Sequence, residues 1–318
     1  MANPLVTVVC VCYNHERFVE EAIRSVINQT YDNLQIIILD DGSFDNSVEK
    51  IKSVATTNRS VEYLLLDKNI GYCKAFNKTL PLIKGEFFID FAADDVMMPD
   101  RIEKQVRKFQ SLDGSFGVVF TDAIYIDETG FELRHHYDYL LRKKLIQEIP
   151  EGYIYRDLLT TYFIAAPSMM TRTQVIQDLK GYDENLSYED FDFWIRSSIR
   201  YQYAFLNEKL IKIRKLTQSM STGWYKPGDK QLHSTYLVCR KAQVLNRDEE
   251  DKKALAMRLK YELRQSVFSS NYEEAALFYN FLRELRQHSS VDSMLFRLNG
   301  LRLPLAPLRS LYHWIRYD

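Results

Sequence analysis

Length, composition and charge exclude several classes of protein. The chain has 318 residues, 46% of them hydrophobic, and a formal net charge of −1. This amount of apolar sequence is enough for one large core or two modest ones. The near-neutral charge gives no field that would attract a polyanion, so we expect no nucleic-acid partner. No run of about 18 uncharged apolar residues occurs, and we expect no segment that spans a bilayer.

The N-terminus and the cysteines indicate the compartment. No charged-then-apolar leader precedes the first predicted strand, which argues against secretion. Cys10 and Cys12 alternate along one strand, and Cys73 and Cys239 lie far from them in the sequence. No spacing among the four matches a zinc ribbon or a C-x-x-C redox pair. We therefore predict buried free cysteines and a cytoplasmic protein, with the cytoplasmic face of the membrane as the alternative location.

Apolar runs alternate with helical periodicity along the chain. The predicted strands are 5–13, 34–39, 61–66, 86–95, 117–126, 163–171 and 204–213. The predicted helices are 18–27, 45–55, a segment ending near 82, 99–110, 173–179 and 188–200, with two or three more in 229–288. This alternation implies βαβ units and a mostly parallel sheet. The region 131–152 has no clear period, and we interpret His135 and His136 there as surface-loop residues.

The strand at 86–95 ends in two adjacent carboxylates, Asp94 and Asp95. Open α/β sheets bind ligands outside the carboxyl ends of their strands. A hard divalent cation prefers oxygen ligands and often shares them with substrate phosphates. Pro99 fits the first turn of the next helix. The alternative is that the two acids simply cap that helix, since acids at helix starts are common.

Five segments of the chain carry recognisable motifs. They are Val6–Asn14, Leu39–Asp45 (Leu-Asp-Asp-Gly-Ser-Phe-Asp), Asn69–Asn77, Gly85–Pro99 with the acid pair, and Gly181–Arg196 with Gly-Tyr-Asp-Glu and Glu-Asp. In this order they resemble the segments of a family 2 glycosyltransferase with the GT-A fold. Together they cover roughly residues 5–215. The resemblance implies an α/β fold of GT-A type: a Rossmann-like, mostly parallel sheet flanked by helices, with a helical C-terminal extension.

The resemblance also divides the chain and implies its activity. Residues 1–110 would be the nucleotide-sugar-binding half, 111–222 the acceptor-binding half, and 223–318 a helical region with a basic amphipathic tail. The implied activity is inverting, hexosyltransferase-like transfer of one sugar from a nucleotide sugar, a UDP-sugar by preference, assisted by Mn²⁺ or Mg²⁺. The implied acceptor is a glycan or a lipid-linked molecule in cell-surface polysaccharide or glycan assembly. The Gln-x-x-Arg-Trp motif of the processive synthases is absent from the sequence.

The resemblance assigns roles to individual residues. Asp94 holds the metal, and Asp95 shapes its surroundings on the donor side. The other donor-binding residues are Tyr13, Asn14, Glu16, Asp40, Asp41, Asn69, Gly71 and Lys74. Inversion needs one base that takes the proton of the acceptor hydroxyl as it attacks. Asp190 matches that base, and Glu189 is the competing choice because both acids stand in the same turn.

One position departs from the family pattern. The common pattern is Asp-x-Asp-Asp, whereas this sequence has Ala92-Ala93-Asp94-Asp95. The departure puts a ribose contact or a water-mediated metal contact in doubt, but not the metal itself. Asp90 shares the side-chain parity of Ala92 and lies roughly 7 Å further back along the strand. We expect Asp90 to be a buried, hydrogen-bonded structural residue rather than a replacement.

Two other activities fit parts of the sequence. A nucleotidyltransferase also has a nucleotide-binding α/β half and an acidic metal site, but it usually needs a glycine-rich basic loop after its first strand. A non-catalytic nucleotide-sugar-binding or scaffold subunit is supported by Ala92 and opposed by Asp190. The basic residues Lys212, Arg214 and Lys215 either reach the diphosphate or form a charged strand edge.

The C-terminal tail combines apolar and basic residues. Between Met294 and Tyr317, leucines and aromatics alternate with four arginines, and Pro304 and Pro307 break the segment into short pieces. This mixture suits docking at an anionic membrane surface, so that residues 294–317 would make a peripheral membrane contact. The alternative, equally supported, is a tail packed on the catalytic domain or on a second subunit of an oligomer. The segment 223–228, with Pro227, is the best linker candidate before this region.

Overall fold

The computed structural model describes residues 3–58, 61–216, 225–303 and 305. The chain divides into two compact units. The first unit contains residues 1–154, 163–184 and 200–216, and the second contains 155–162, 185–199 and 217–318. Segments 155–162 and 185–199, which the sequence placed in the acceptor-binding half, therefore cluster with the C-terminal helices. The donor and acceptor roles of the three predicted segments stay predictions.

The described strands are β1 (Val6–Cys12), β2 (Leu34–Asp40), β3 (Val61–Leu65), β4 (Phe87–Ala92), β5 (Val96–Met97), β6 (Phe116–Ile126), β7 (Glu132–His135), β8 (Met170–Arg172) and β9 (Gln202–Arg214). The described α-helices are α1 (Val19–Ile27), α2 (Ser47–Thr57), α3 (Tyr72–Asn77), α4 (Arg101–Gln110), α5 (His136–Arg142), α6 (Tyr155–Thr160), α7 (Thr173–Asp178), α8 (Asp190–Ser198), α9 (Lys230–Leu245), α10 (Glu249–Phe268), α11 (Tyr272–Glu284) and α12 (Ser290–Gly300).

The described strands form one sheet in the first unit, in the order β3-β2-β1-β4-β8-β6-β9-β5, with β7 paired to β6. Strands β1, β2, β3 and β4 are parallel, as the alternation of strands and helices predicts. The second half of the sheet is mixed, because β8 runs antiparallel to both β4 and β6 while β6 and β9 are parallel. The α/β class with flanking helices is confirmed, and the parallel character is concentrated in the first four strands.

The apolar run of β1 forms the centre of this sheet because both of its faces are covered. Val8 and Cys10 pack into the main core cluster, and Val9 and Val11 on the opposite face are also buried. A strand that is covered on both faces has a continuous run of apolar residues, whereas a strand with one solvent-exposed face alternates apolar and polar residues. All four cysteines are free and buried, as predicted.

The register of the parallel strands brings their carboxyl ends together. Cys12, the last residue of β1, pairs with Asp40, the last residue of β2. Val11 pairs with Ala92, the last residue of β4. The loops that follow β1, β2 and β4 consequently leave the sheet at one edge, where ligands of such sheets bind.

Three local predictions were wrong. Pro99 precedes α4 rather than lying in its first turn, because the short strand β5 and a turn separate the acids from a helix that begins at Arg101. The region 131–152 contains β7 and α5, and His136 is buried rather than in a surface loop. Most of 163–171 is irregular or 3₁₀-helical, and β8 begins only at Met170.

The second unit is helical. It contains α6, α8 and α9–α12, so that 229–288 forms three helices. Side-chain caps begin several of them: Asp229 caps α9, Asp248 caps α10, and Ser289 with Asp292 forms a capping box on α12. Residues 217–224, which include part of the predicted linker, and residues 304 and 306–318 of the tail lie outside the described residues. Within the described segments, no helix has both the length and the hydrophobicity needed to cross a membrane.

Candidate active site

Hydrogen bonds tie the loops after β1 and β2 together. Asn14, at a φ of 57° that asparagine tolerates better than most residues, donates its backbone N–H to Ser43 Oγ at 2.8 Å. Its Oδ1 accepts the N–H of Phe44 at 3.0 Å. Glu16 accepts the N–H of Asn46 through Oε2 at 2.9 Å. The side chains of Asn14 and Glu16, both predicted to bind the donor, thus fix the shape of the second loop.

Asp40 and Asp41 lie beneath the loops at this edge. Asp40 is fully buried and accepts the N–H of Ser43 at 2.8 Å and its hydroxyl at 2.6 Å. Asp41 accepts the N–H groups of Ile70 at 2.9 Å and Gly71 at 3.1 Å. Burial raises the pKa of Asp41, and these two N–H groups oppose the rise. The two carboxylates therefore support the second and third loops, while direct contact with the nucleotide stays a prediction.

A close approach of backbones explains one glycine of the second loop. Gly42 has a φ of +72°, and a Cβ there would lie 2.2 Å from the carbonyl carbon of Lys68. The third loop then continues through Gly71, which has a φ of +90°. Asn69, Gly71 and Lys74 are exposed, so that these three predicted donor-binding residues are accessible to a ligand.

Two aromatic rings stand on the surface of the first two loops. Tyr13 and Phe44 make an edge contact with ring centroids 6.3 Å apart. Tyr13 is 40% exposed and Phe44 is 84% exposed. Exposed aromatic faces beside polar groups suit a planar ligand ring. Tyr13 was predicted as a donor-binding residue, whereas Phe44 was not.

The acid pair at the end of β4 occupies two different environments. Asp94 keeps its carboxylate partly accessible, and Asp94 Oδ1 lies 4.0 Å from His15 Nδ1. That imidazole nitrogen is buried and has no hydrogen-bond partner among the residues that the structure describes. Asp95 is buried, and its Oδ1 accepts the backbone N–H of Arg214 at 2.9 Å. Neither acid caps α4, whose N-cap residue is Asp100, so the helix-capping alternative is wrong.

The electrostatics of the pair follow from this difference. Burial raises the pKa of Asp95 well above its usual range, and the neighbouring Asp94 raises it further. The N–H of Arg214 and the charges of Lys215 and Arg101 oppose these effects. Asp94 is the acid of the pair that is more accessible to a cation.

The three basic residues before residue 216 have different roles. Lys212 Nζ lies 3.5 Å from Glu132 Oε1 at the strand edge. Arg214 is buried and turned towards the acid motif rather than towards solvent. Lys215 Nζ stacks 4.5 Å from the ring centroid of Tyr125, and it has no ion-pair partner in the part of the chain that the structure describes. Burial lowers the pKa of Lys215.

Asp90 is a hydrogen-bonded structural residue, as the sequence suggested. It is half-buried. Its Oδ1 accepts the hydroxyl of Tyr72 at 2.6 Å and its Oδ2 accepts the hydroxyl of Tyr182 at 2.8 Å. Both carboxylate oxygens are thus engaged by phenols. Asp90 therefore does not replace the acid that is missing at Ala92.

In the second unit, Glu189 and Asp190 stand at the start of α8. Glu189 occupies the N-cap position without a side-chain cap hydrogen bond, and Asp190 is the first helical residue. Burial raises the pKa of Asp190, and a hydrogen bond with the Glu189 side chain opposes the rise, so that the pKa is about 6. A carboxyl with this pKa is ionised at neutral pH yet basic enough to accept a proton.

The helix that carries these acids is anchored by aromatic packing. Phe191, Trp194 and Ile195 of α8 are buried, and their spacing puts them on one face of the helix. The ring of Tyr162 packs on Phe191 and Trp194, with centroids 4.9 and 5.8 Å away. The guanidinium of Arg258 stacks 3.9 Å from the centroid of Tyr162. The start of α8 is consequently held by a packed core rather than by a surface contact.

Comparison with known proteins identifies the family. A family model described as Glycosyl transferase family 2 matches residues 7–179. An uncharacterised glycosyltransferase of Methanocaldococcus jannaschii is 32% identical over 218 residues, which are 67% of this chain and 72% of that protein. One of Haemophilus influenzae is 34% identical over 110 residues, 35% of this chain and 34% of that protein. The chain belongs to glycosyltransferase family 2 and is a glycosyltransferase.

Solved structures agree on the fold. Staphylococcus aureus TarS, residues 1–349 in complex with UDP-GlcNAc, matches with a TM-score of 0.68 at 16% identity, covering 98% of this chain and 91% of that one. The mannosyltransferase PcManGT from Pyrobaculum calidifontis, in complex with GDP-Man and Mn²⁺, matches with a TM-score of 0.59 at 14% identity, covering 96% and 87%. The chain therefore has the GT-A fold. The family match also removes support for the nucleotidyltransferase alternative.

Three contributors to the site were missed or left undecided by the sequence. From the sequence alone, His15 in the first loop fits a phosphate contact and a surface position equally well. Phe44 was not predicted as a site residue, and Arg214 was grouped with Lys212 and Lys215. The proximity of His15 to the acid motif has a sequence signal, because it follows β1 and Asp94 follows β4, and both strands were predicted to be parallel. Nothing local in the sequence distinguishes Arg214 from Lys212 or Lys215.

Proposed function

We propose that the protein is an inverting glycosyltransferase that moves one sugar from a nucleotide-sugar donor to an acceptor hydroxyl with the help of a divalent cation. The observation that carries the proposal is the meeting of the β1, β2 and β4 loops at one sheet edge, where Asp94 is accessible. Neighbours of the same fold were solved with UDP-GlcNAc and with GDP-Man and Mn²⁺. We take a UDP-sugar as the preferred donor and a glycan or lipid-linked molecule as the acceptor.

The residues present fit a cation that arrives with the nucleotide. No group of three His, Cys, Asp or Glu side chains among the described residues forms a metal cage. Asp94 and the orphaned Nδ1 of His15 stand side by side, and Mn²⁺ or Mg²⁺ held by few protein ligands takes its others from phosphates and water. Asp94 would hold the cation, with His15 beside it. When bound, the cation neutralises the charge that develops on the leaving diphosphate.

The remaining steps belong to side chains of this chain. Tyr13 and Phe44 offer faces for the base, and Asn69, Gly71 and Lys74 are accessible for the rest of the donor. Lys215 adds positive charge near the acid motif, which favours a diphosphate. Asp190 takes the proton of the acceptor hydroxyl as the bond to the anomeric carbon forms, and Glu189 tunes it through their hydrogen bond.

The test compares the turnover of the parent protein with that of a variant that lacks the Asp94 carboxylate. The protein is incubated with UDP- and GDP-sugars and Mn²⁺, and released nucleoside diphosphate is measured. We expect slow donor hydrolysis by the parent chain and none by Asp94→Ala. The melting temperature of Asp94→Ala should match that of the parent, because the hydrogen bonds between described residues do not involve the Asp94 carboxylate. Asp100→Ala is the matched control, since the ion pair that Asp100 makes with Lys104 among the described residues lies at the surface.

Two outcomes would oppose the proposal. Donor binding without any turnover would favour the non-catalytic scaffold alternative. Unchanged Mn²⁺-dependent binding in Asp94→Ala, measured by calorimetry with UDP, would remove the metal assignment.

A further proposal concerns the C-terminal segment 294–317 as a contact with an anionic membrane. In this segment, Met294 (54%) is exposed on α12, and Leu301 (63%) and Leu303 (46%) are exposed after it. Arg297 of the same helix is exposed as well. Apolar side chains interspersed with arginines favour an anionic interface. This contact would place the protein at the cytoplasmic face of a membrane. Packing on a second subunit is the competing proposal.

A further inference from the structure

One buried arginine fixes the conformation of the acid motif from behind. Arg214, at the end of β9, is 5% exposed. Its backbone N–H donates to Asp95 Oδ1 at 2.9 Å, and its Nε donates to the carbonyl of Asp94 at 2.9 Å. Arg214 therefore binds both members of the acid pair. Its main chain binds the side chain of Asp95, and its side chain binds the main chain of Asp94.

The other donors of Arg214 connect the motif to two further elements. One terminal nitrogen donates to the carbonyls of Asp127 at 3.2 Å and Glu128 at 3.3 Å, in the turn after β6. The other donates to Glu21 Oε2 on α1 at 2.7 Å. The planar guanidinium thus uses Nε and both terminal nitrogens, a fork geometry that a lysine ammonium cannot reproduce.

Packing completes the cage around the guanidinium. Its carbon lies 4.6 Å from the ring centroid of Phe18, which is itself buried and directly precedes α1. A cation over an aromatic face is held most strongly where water is excluded. The acid motif is consequently attached to α1, to the turn after β6 and to β9 through one side chain.

We propose that Arg214 is a positioning residue for the cation site: it sets the main-chain conformation at Asp94, and with it the direction in which the Asp94 carboxylate is presented. The inference rests on the proposed role of Asp94 in holding the cation. Partners that orient a metal ligand typically affect metal affinity by about 10-fold to 100-fold when they are changed. Arg214 would act on the cation without touching it.

The experiment compares Arg214→Lys with a matched arginine elsewhere in the same sheet. Arg172 donates to the carbonyl of Phe116 at 2.9 Å and to Glu86 at 3.1 Å, and it stacks 5.1 Å from the centroid of Phe87. It has the same kinds of contact as Arg214, but it pairs with Phe87 at the start of β4, at the opposite end from the acid motif. Arg172 is half-buried, with 20% of its side chain exposed, and Arg172→Lys therefore reports what an arginine with contacts of this kind contributes to the fold alone.

The experiment measures Mn²⁺ binding by the whole chain in the presence of UDP or GDP. Binding is detected as a loss of the electron paramagnetic resonance signal of free Mn²⁺. We expect Arg214→Lys to raise the Mn²⁺ dissociation constant by about tenfold or more, and to leave kcat at saturating Mn²⁺ within about threefold. Arg172→Lys should leave Mn²⁺ affinity within about twofold. Glu21→Gln, which removes the ion pair but keeps the bonds to the acid motif, should behave like Arg172→Lys.

The outcomes separate this inference from the proposed function. If the parent binds Mn²⁺, Asp94→Ala loses it and Arg214→Lys titrates like the parent, the inference is overturned and the metal site stands. If Arg172→Lys weakens Mn²⁺ binding as much as Arg214→Lys does, the effect is one of general stability and the inference is again overturned. A parent protein that binds no Mn²⁺ with either nucleotide overturns the metal site and this inference together.

Discussion

His15 Nδ1 and Asp94 Oδ1 lie 4.0 Å apart, although one follows β1 and the other follows β4. Parallel pairing of these two strands brings the residues together. The described residues give the imidazole nitrogen no hydrogen-bond partner, and a buried polar atom without a partner is costly unless a ligand satisfies it. The relationship supports a cation or a phosphate group at this point.

The first prediction follows from this orphaned nitrogen. His15→Gln should raise the dissociation constant of Mn²⁺ with UDP by about tenfold, as expected for a group that contacts or orients a bound metal. His233→Gln is the control, because His233 is exposed on α9. Calorimetric titration of Mn²⁺ into each protein with UDP measures the effect, and equal affinities in parent and His15→Gln would exclude His15 from the site.

The second prediction concerns pH. Burial raises the pKa of Asp190 to about 6, so the base is protonated and inactive below that pH and ionised above it. The transfer rate at saturating Mn²⁺ should therefore fall about tenfold for each pH unit below 6 and be level above it. UDP binding measured over the same pH range separates a loss of the transfer step from a loss of donor binding. A flat rate profile between pH 5 and 8 would contradict the assignment.

The third prediction concerns the close approach of the second and third loops. Gly42→Ala places a Cβ 2.2 Å from Lys68 at a φ of +72°, so we expect the free energy of unfolding to drop by about 1–3 kcal/mol from backbone strain, with the clash adding to it. Gly114→Ala is the matched control, because nothing lies within 4 Å of a Cβ there. Urea unfolding of both variants measures the difference, and equal midpoints would show that the loops separate freely.

The fourth prediction concerns the tail. A chain that ends after Ser290 lacks the exposed residues Met294, Arg297, Leu301 and Leu303 on which the membrane proposal rests, together with the segment beyond them. Flotation with vesicles that contain anionic lipid should be strong for the full chain, weak for the shortened chain, and weak for both with neutral vesicles. Equal flotation of the two chains would favour the alternative, in which the tail packs on protein.

The strands of the parallel half of the sheet were predictable from the sequence, because burial on both faces leaves an unbroken apolar run. The strand at 5–13 and the turn residues Asp40-Asp41-Gly42-Ser43 have local signals of this kind. The accessible position of Asp94 was predictable as well, because β4 ends two residues before it and residues just beyond the carboxyl end of a strand lie at the ligand-binding edge of the sheet.

Other features depend on contacts between distant parts of the chain. The hydrogen bond between Arg214 and Asp95 joins residues 119 positions apart, and no local pattern marks it. The short strand β5 pairs with β9 rather than continuing β4, so Pro99 could not be placed correctly. The clustering of 155–162 and 185–199 with the C-terminal helices depends on side chains such as Tyr162 and Arg258 that carry no periodic signal.

The central claim, that Asp190 is the base of a glycosyl transfer, is tested most directly by Asp190→Asn. Asn is nearly isosteric with Asp and serves helix starts equally well, so α8 and its buried face should be unchanged. We expect Mn²⁺ and UDP affinities within about twofold of the parent and a loss of transfer of at least about a hundredfold, with a much smaller loss in Glu189→Gln. Near-normal transfer by Asp190→Asn, or a deeper loss in Glu189→Gln, would contradict the claim.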